Sequence, residues 1–175
     1  MDEGITIRDL RPDDVDALVD IALAAWAPIY ASYRQLLGEA LFAAAFPDWR
    51  AEKARQIRAA CAPGRPGTVC VAEQAGRIVG FTSLYLHRAT GKGEIGNNAV
   101  HPDVQGQGIG TRLCRHAVER LREQGARFVL VGTGGDPSHA PARRMYEQAG
   151  FTSSVPGVTY YLLLSQQADT GRERA

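Results

Sequence analysis

Apolar positions recur with two periods along this chain, and the switches between the periods lay out its elements. Ile5 to Arg8 alternates, the two-residue period of a strand. Arg11-Pro12-Asp13-Asp14 then starts a helix, with proline near its first turn, acids at its positive end, and apolar residues at Val15, Leu18, Val19, Ala22, Leu23 and Trp26. Pro28 is expected to break that helix, because its ring removes an N–H and crowds the preceding turn. A second helical stretch is predicted from about Ala31 to Phe46, and Pro47-Asp48 ends it and caps a third, Trp49 to Ala60. Pro63-Gly64-Arg65-Pro66-Gly67 is a loop by composition.

Thr68 to Glu73 and Arg77 to His87 are β runs joined by Gln74-Ala75-Gly76, a short hairpin signal with glycine where φ can be positive. Glu94 to Val100 continues the meander. A helix from Thr111 to Gln124, a strand from Phe128 to Val131, a helix from Ser138 to Ala149 with Ser138 as N-cap, and a last strand from Thr159 to Leu164 follow. Ser165 to Ala175 is polar and charged and reads as a frayed tail. The strands and principal helices run β-α-α-β-β-β-α-β-α-β. That order predicts an α/β fold, a twisted mixed sheet with helices on both faces, in one domain over residues 1–164 with a polar tail over 165–175.

Composition narrows the partners. At 175 residues and a net charge of +1, the chain is long enough for a core of its own and carries no general basic surface for nucleic acid or anionic membrane. Arg112, Arg115, Arg120, Arg122, Arg127, Arg143 and Arg144 cluster late in the sequence, as a phosphate-binding rim or simply as solvated helix faces. The three cysteines (Cys61, Cys70, Cys114) lack metal or disulfide spacing, which suggests reduced thiols in a cytoplasmic protein. The histidines pair with no cysteine or acid at ligand spacing, so no metal is expected. No run approaches the roughly 18 apolar residues of a membrane span, and the acidic start is no signal peptide.

The most informative stretch is Val100 to Thr111. A strand runs into Gln105-Gly106-Gln107-Gly108-Ile109-Gly110, and the loop opens directly onto a helix. Glycines at 106, 108 and 110 strip side chains from the backbone, so several N–H groups can face one point at a helix N-terminus, the means of gripping a phosphate or pyrophosphate. A Walker loop would need Lys-Ser or Lys-Thr after its last glycine, and Thr111-Arg112 stands there. A dinucleotide fingerprint needs a different glycine spacing and an acid about 20 residues on, both missing. What remains, Gln105-x-x-Gly108-x-Gly110, resembles the acetyl-coenzyme A loop of the Gcn5-related N-acetyltransferase superfamily. Ala142-Arg143-Arg144-Met145-Tyr146-Glu147-Gln148-Ala149-Gly150-Phe151 resembles that superfamily's second signature, on the helix after the fifth strand, in the expected order.

The resemblance implies an acyltransferase that moves an acetyl group from acetyl-coenzyme A to a primary amine of a small molecule, by direct attack on the thioester. It places the cofactor along Gln105, Gly106, Gln107, Gly108, Ile109, Gly110 and Thr111, with further contacts from His139 and Arg143. The thioester carbonyl falls to the backbone of Asn98, Ala99 and Val100, the general base to Glu94, and the acid for the leaving thiolate to Tyr146. Protein N-terminal or lysine acetylation, and a non-catalytic acyl-coenzyme A module, are the alternatives; the family also allows a homodimer formed through late strands. Two positions depart from the family: His139 stands where many members have asparagine, and Gln107 where a basic residue is common.

The residues alone leave several of these roles open. Asn and Gly are depleted in strand interiors, so Glu94-Ile95-Gly96-Asn97-Asn98 is either a locally bent strand or a catalytic wall, and Gly96 suggests a bulge that would swap the faces of Glu94 and Asn98. His139 reads equally as a plain first-turn residue, and Tyr146 as a ring packed on the sheet. Trp26, Tyr30, Tyr33, Phe46 and Trp49 are core or acceptor wall; Asp136 and Glu94 are the acids expected near the cleft.

Overall fold

The structure is a computed structural model and describes residues 4–164; the polar tail expected over 165–175 lies outside the described residues. β1 (Thr6–Asp9), β2 (Thr68–Gln74), β3 (Arg77–His87), β4 (Lys92–Val100) and β5 (Phe128–Val131) form one sheet in sequential order. Neighbours are antiparallel as far as β4, and β4 and β5 are parallel, as the helical crossover between them requires. Five helices complete the fold: α1 (Val15–Leu37), α2 (Glu39–Ala45), α3 (Trp49–Cys61), α4 (Ile109–Glu123) and α5 (Ala140–Ala149). The β2–β3 turn has two central residues, Ala75 (φ +49°) and Gly76 (φ +77°), both left-handed, which matches the twist of the strands they join.

The two-residue period assigns the faces of the sheet. On β2, Val69 and Val71 pack with Leu18, Ile21 and Ile57 of α1 and α3, while Cys70 and Ala72 pack beneath α4. Ile109, Leu113, Cys114, Ala117 and Leu121 make the buried stripe of α4 at helical spacing. Burying each large side chain of that stripe contributes about 1.5–3 kcal/mol.

Four expectations are corrected. Pro28 does not end α1, which runs through it as one helix of 23 residues. The bond lost at Pro28 is outweighed because both halves of α1 are anchored, Leu18 to Ala22 on the sheet and Tyr30 and Tyr33 among the aromatics of the next helices. Continuity gives Pro12–Leu37 the length and hydropathy of a membrane span by composition alone, although Leu18, Val19, Ile21 and Ala22 along it are buried against the sheet. The stretch predicted over Ala31 to Phe46 divides instead at Gly38, whose φ of +75° turns the chain into α2. The last helix starts later, at Ala140, with His139 rather than Ser138 as its N-cap, after a 3₁₀ turn over Pro137–His139 that Asp136 caps by accepting the Ser138 N–H. Thr159 to Leu164 pairs with no strand of the sheet, with Tyr160 91% and Leu162 82% exposed against 43% for Tyr161 and 48% for Leu163. That alternation is strand-like, but a strand exists only where a ladder partner presents its backbone.

One buried ion pair fastens the start of α1. Arg8 donates from both terminal nitrogens to Asp14, at 2.7 and 3.0 Å, and from Nε to Glu73 at 2.9 Å, while Asp14 also accepts the Arg11 N–H. The Arg8 hydrogen bonds hold the Asp14 carboxyl below the ordinary carboxylate range despite its burial. Because the folded value is depressed, this stabilisation is complete above the unfolded value of about 3.9 and is lost as pH falls through the folded one. Asp14→Asn is expected to destabilise the protein by about 2 kcal/mol at pH 7, since it strands the Arg8 charge, and the gap should narrow as pH falls below the unfolded carboxylate value of about 3.9. Urea melts of both proteins across that range check this; a gap independent of pH would remove the ionic part of the argument.

Candidate active site

The site begins with a defect in β4. Thr82 pairs with Asn98 and Leu84 with Ile95, so Gly96 and Asn97 together face Ser83, and the Ser83 hydroxyl takes up the displaced Asn97 N–H at 2.8 Å. This is the bulge expected at Gly96, and a side chain there would meet Ser83 Oγ at 2.8 Å and the Tyr85 ring at 2.9 Å. The bulge inverts the faces: Ile95 packs under α4, whereas Ala99, four residues on, packs under α1. Asn98 accordingly points toward α4 and α5, its Nδ2 lying 3.5 Å from the Gly110 carbonyl.

Beyond Ile95 the ladder between β4 and β5 stops, since Val131 is the last paired residue of β5. The two parallel strands part there and leave a cleft of about 640 Å³ at their C-terminal ends, where an α/β sheet ordinarily holds its ligand. The β5-facing edge of β4 from Gly96 to Val100 is thereby left without a strand partner among the described residues.

The glycine loop forms the next wall. Gly106 (φ +79°) and Gly108 (φ +77°) are left-handed, with nothing within 4 Å of where a side chain would start. Gly108 caps α4, whose ladder opens with the Arg112 N–H bonding to the Gly108 carbonyl, so the N–H groups of the preceding turn have no acceptor within the helix. Gln105 holds the loop to the strand by donating from Nε2 to the Val100 carbonyl at 3.0 Å. Asn98, Ala99, Val100, Gln105, Gly106 and Gly108 all line the cleft, as do Ile109, Gly110, Thr111 and His139. A coenzyme A fits this lining on two independent counts: a glycine-rich turn of N–H groups for its phosphates, and the buried Asn98 Oδ1, which has no hydrogen-bond partner among the described residues and can accept from an amide.

Two expected cofactor residues fall elsewhere. Gln107 faces a separate depression beside Gly4 and Arg77. Arg143 turns inward and donates to the carbonyls of Gly134 and Asp136, at 2.6 and 2.9 Å, bracing the loop between β5 and α5.

Tyr146 lines the cleft from α5, only 8% exposed, with its ring edge-on to Phe151. Burial, with a smaller contribution from Cys114, raises its hydroxyl well above the ordinary tyrosine value. Glu94 is not part of the lining. Its carboxylate accepts from Lys92 Nζ at 2.9 Å and lies 3.4 Å from His87 Nε2, and the Lys92 hydrogen bond holds it below the usual range. The bulge explains the separation, because it turns Glu94 and Asn98 to opposite faces.

The sequence reading missed two contributions. Ile29 joins Trp26, which the sequence offered as core or acceptor wall, in closing the cleft from α1; the place of Ile29 was hidden while Pro28 was expected to end that helix. Asp136 and His139 meet at 2.6 Å at the cleft wall; their three-residue spacing after a glycine run was the available signal. The aromatic residues of α1 to α3 pack mainly on one another, with Tyr30 stacked on Trp49 at 4.3 Å and Tyr33 reaching the His139 ring at 6.0 Å.

A sheet that splays beside a glycine-capped helix defines a class, and solved structures share it. An acetyltransferase described as a member of the GNAT family from Desulfovibrio desulfuricans superposes over 87% of this chain and 87% of its own, with a TM-score of 0.66 and 20% identity. A GNAT family acetyltransferase from Brucella melitensis in complex with acetyl-CoA matches 86% of this chain and 84% of its own, at a TM-score of 0.57 and 26% identity. The sequence model of the Acetyltransferase (GNAT) family matches residues 29–151, and the chain belongs to that family. Among curated relatives, the mycothiol acetyltransferase of Thermomonospora curvata is 35% identical over 95 residues, 54% of this chain and 31% of its own length. The chain spans about a third to a half of the length of the curated relatives it matches.

Proposed function

We propose that the chain is an acetyl-coenzyme A-dependent N-acetyltransferase acting on the primary amine of a small molecule by direct transfer. One observation carries this reading: the cleft where β4 leaves β5 gathers on one lining an unpartnered strand edge, the side-chain-free entry to α4, the orphan Asn98 Oδ1 and Tyr146. Acetyl-coenzyme A would supply an activated acyl group there. The first turn of α4 would hold its diphosphate, and N–H groups on the free edge of β4 would receive the thioester oxygen, a contribution of about 10²–10³ in rate. Tyr146 would hold a proton for the departing sulfur. Direct transfer is favoured because the cysteines are poor nucleophiles: burial pushes Cys70 up to about 11 and Cys114 up to about 12.

A small acceptor is supported by a cleft that α1 closes with Trp26 and Ile29, and by the mycothiol acetyltransferases among the relatives. The test is release of free thiol from acetyl-coenzyme A with a panel of small primary amines and of peptides with free N-termini or lysines. Turnover with small amines alone is expected. Turnover with peptides alone would move the assignment to protein acetylation, and tight coenzyme A binding without release from any acceptor would leave a binding module.

A further inference from the structure

The glycine-rich loop after β5 builds an oriented imidazole at the cleft. Asp136 Oδ2 lies 2.6 Å from His139 Nδ1, and Asp136 Oδ1 accepts the Ser138 N–H at 2.9 Å and the Ser138 hydroxyl. Both carboxylate oxygens are thus engaged. Burial would raise this carboxyl, but the hydrogen bonds from Ser138 and His139 outweigh it and keep the group ionised. Arg143 locks the loop from behind through the Gly134 and Asp136 carbonyls.

Gly134 shows that the pair is a built feature. A side chain there would start 2.4 Å from His139 Nδ1 and 2.5 Å from Asp136 Oδ2, so the acid and the ring can meet only over a glycine. Its φ is not positive, so the backbone does not demand glycine; the close approach does.

We propose that His139, oriented by Asp136 over Gly134, is the general base that takes the proton from the acceptor amine. This role rests on the acetyl-transfer reading above. An ionised Asp136 accepts the Nδ1–H, which leaves Nε2 as the unprotonated nitrogen of the neutral ring and stabilises the imidazolium once it forms. His139 lines the same cleft as Tyr146, closing the 3₁₀ turn that leads into α5 seven residues before it. Glu94, held by Lys92 outside the lining, has neither the placement nor the basicity.

The amine enters as its ammonium form, loses one proton to solvent, and bonds through its nitrogen to the acetyl carbon. His139 Nε2 takes the second proton from that nitrogen. Tyr146 gives its proton to the sulfur as the carbon–sulfur bond breaks, and the imidazolium proton returns to the tyrosinate through solvent. The other groups facing the ring are Tyr33 from α1, itself beside Tyr161, and Ser138 from the same turn; Arg144 is the charged residue that shares the cleft lining.

The test joins nitrogen-15 NMR of the histidine rings with pH–rate profiles. In the unmodified protein the His139 signal, assigned by its loss in His139→Gln, should report the Nδ1–H tautomer, and Asp136→Asn or Gly134→Ala should shift it toward Nε2–H. His139→Gln should lower kcat/KM at least 10²-fold near neutral pH, keep coenzyme A affinity by calorimetry, and regain part of the rate at high pH, where hydroxide can take that second proton. Asp136→Asn should lower kcat/KM near neutral pH together with the tautomer shift read by NMR, which a merely structural residue would not do. An Nε2–H tautomer in the parent, or a His139→Gln profile superimposable on the parent's while Glu94→Gln loses the ionisation, would overturn the role. A parent that neither binds coenzyme A nor releases thiol would overturn the acetyl-transfer reading and this role together; a parent that does both, with an unchanged His139→Gln, overturns the role alone.

Discussion

Tyr146→Phe is expected to lower kcat by about 10²-fold while leaving coenzyme A affinity nearly unchanged, because in the proposed role the hydroxyl acts as charge develops on sulfur and not in the ground state. Tyr146 is 8% exposed, and its burial raises the hydroxyl well above its ordinary value. Taken alone, that shift makes a poorer acid. A thiolate expelled into the same pocket is desolvated as well, and its basicity rises with that of the phenol; the neighbouring Cys114 thiol, pushed up to about 12, shows what this interior does to sulfur. Acid and leaving group therefore stay matched, and the proton stays on oxygen until sulfur needs it. The substitution removes one oxygen and retains the edge-on contact with Phe151, so the melting temperature should change little. Single-turnover kinetics with calorimetry checks both halves. A parent-like kcat under conditions where chemistry limits the rate would return Tyr146 to the core.

Gly108→Val is expected to weaken coenzyme A binding by at least about 10²-fold in a protein that still folds. A β-branched residue at the φ of +77° found there is strained by a few kcal/mol at most, small beside the core that holds α4. There is room for the side chain, since nothing lies within 4 Å of its first atom. That room is the space a phosphate needs to reach the N–H groups entering α4, so the substitution occupies the ligand's place. Gly108→Asn separates the two effects, because asparagine tolerates the left-handed conformation yet still fills the space. It should restore much of the stability and little of the affinity. Unchanged affinity in either folded variant would remove the phosphate role from this loop.

How much was legible in the chain follows from the range of the forces involved. The strand periods, the Asp48 cap, the Ala75-Gly76 turn and the bulge at Gly96 are decided within a few residues, and the structure has them where the pattern put them. The glycine loop opening α4 is equally local, since φ at Gly106 and Gly108 depends on the absence of their own side chains. The two signatures placed Tyr146 and the loop on one cleft because the loop opens α4, whose neighbour α5 carries Tyr146.

What the tertiary structure decided is where local preference met competing partners. Pro28 sits inside α1 because packing on both sides of it outweighs one lost bond. Thr159 to Leu164 has the residues of a strand but no backbone edge to pair with, and a ladder needs both. Glu94 and Asp136 were the acids expected near the cleft, and the folded surroundings separate them: the bulge in β4 turns Glu94 off the lining, where Lys92 and His87 hold it, while Gly134 and Arg143 let Asp136 meet His139. Periodicity and turn chemistry act along the chain and can be read in it, whereas the placement and basicity of a charged side chain depend on neighbours that only the folded state brings within a few ångströms.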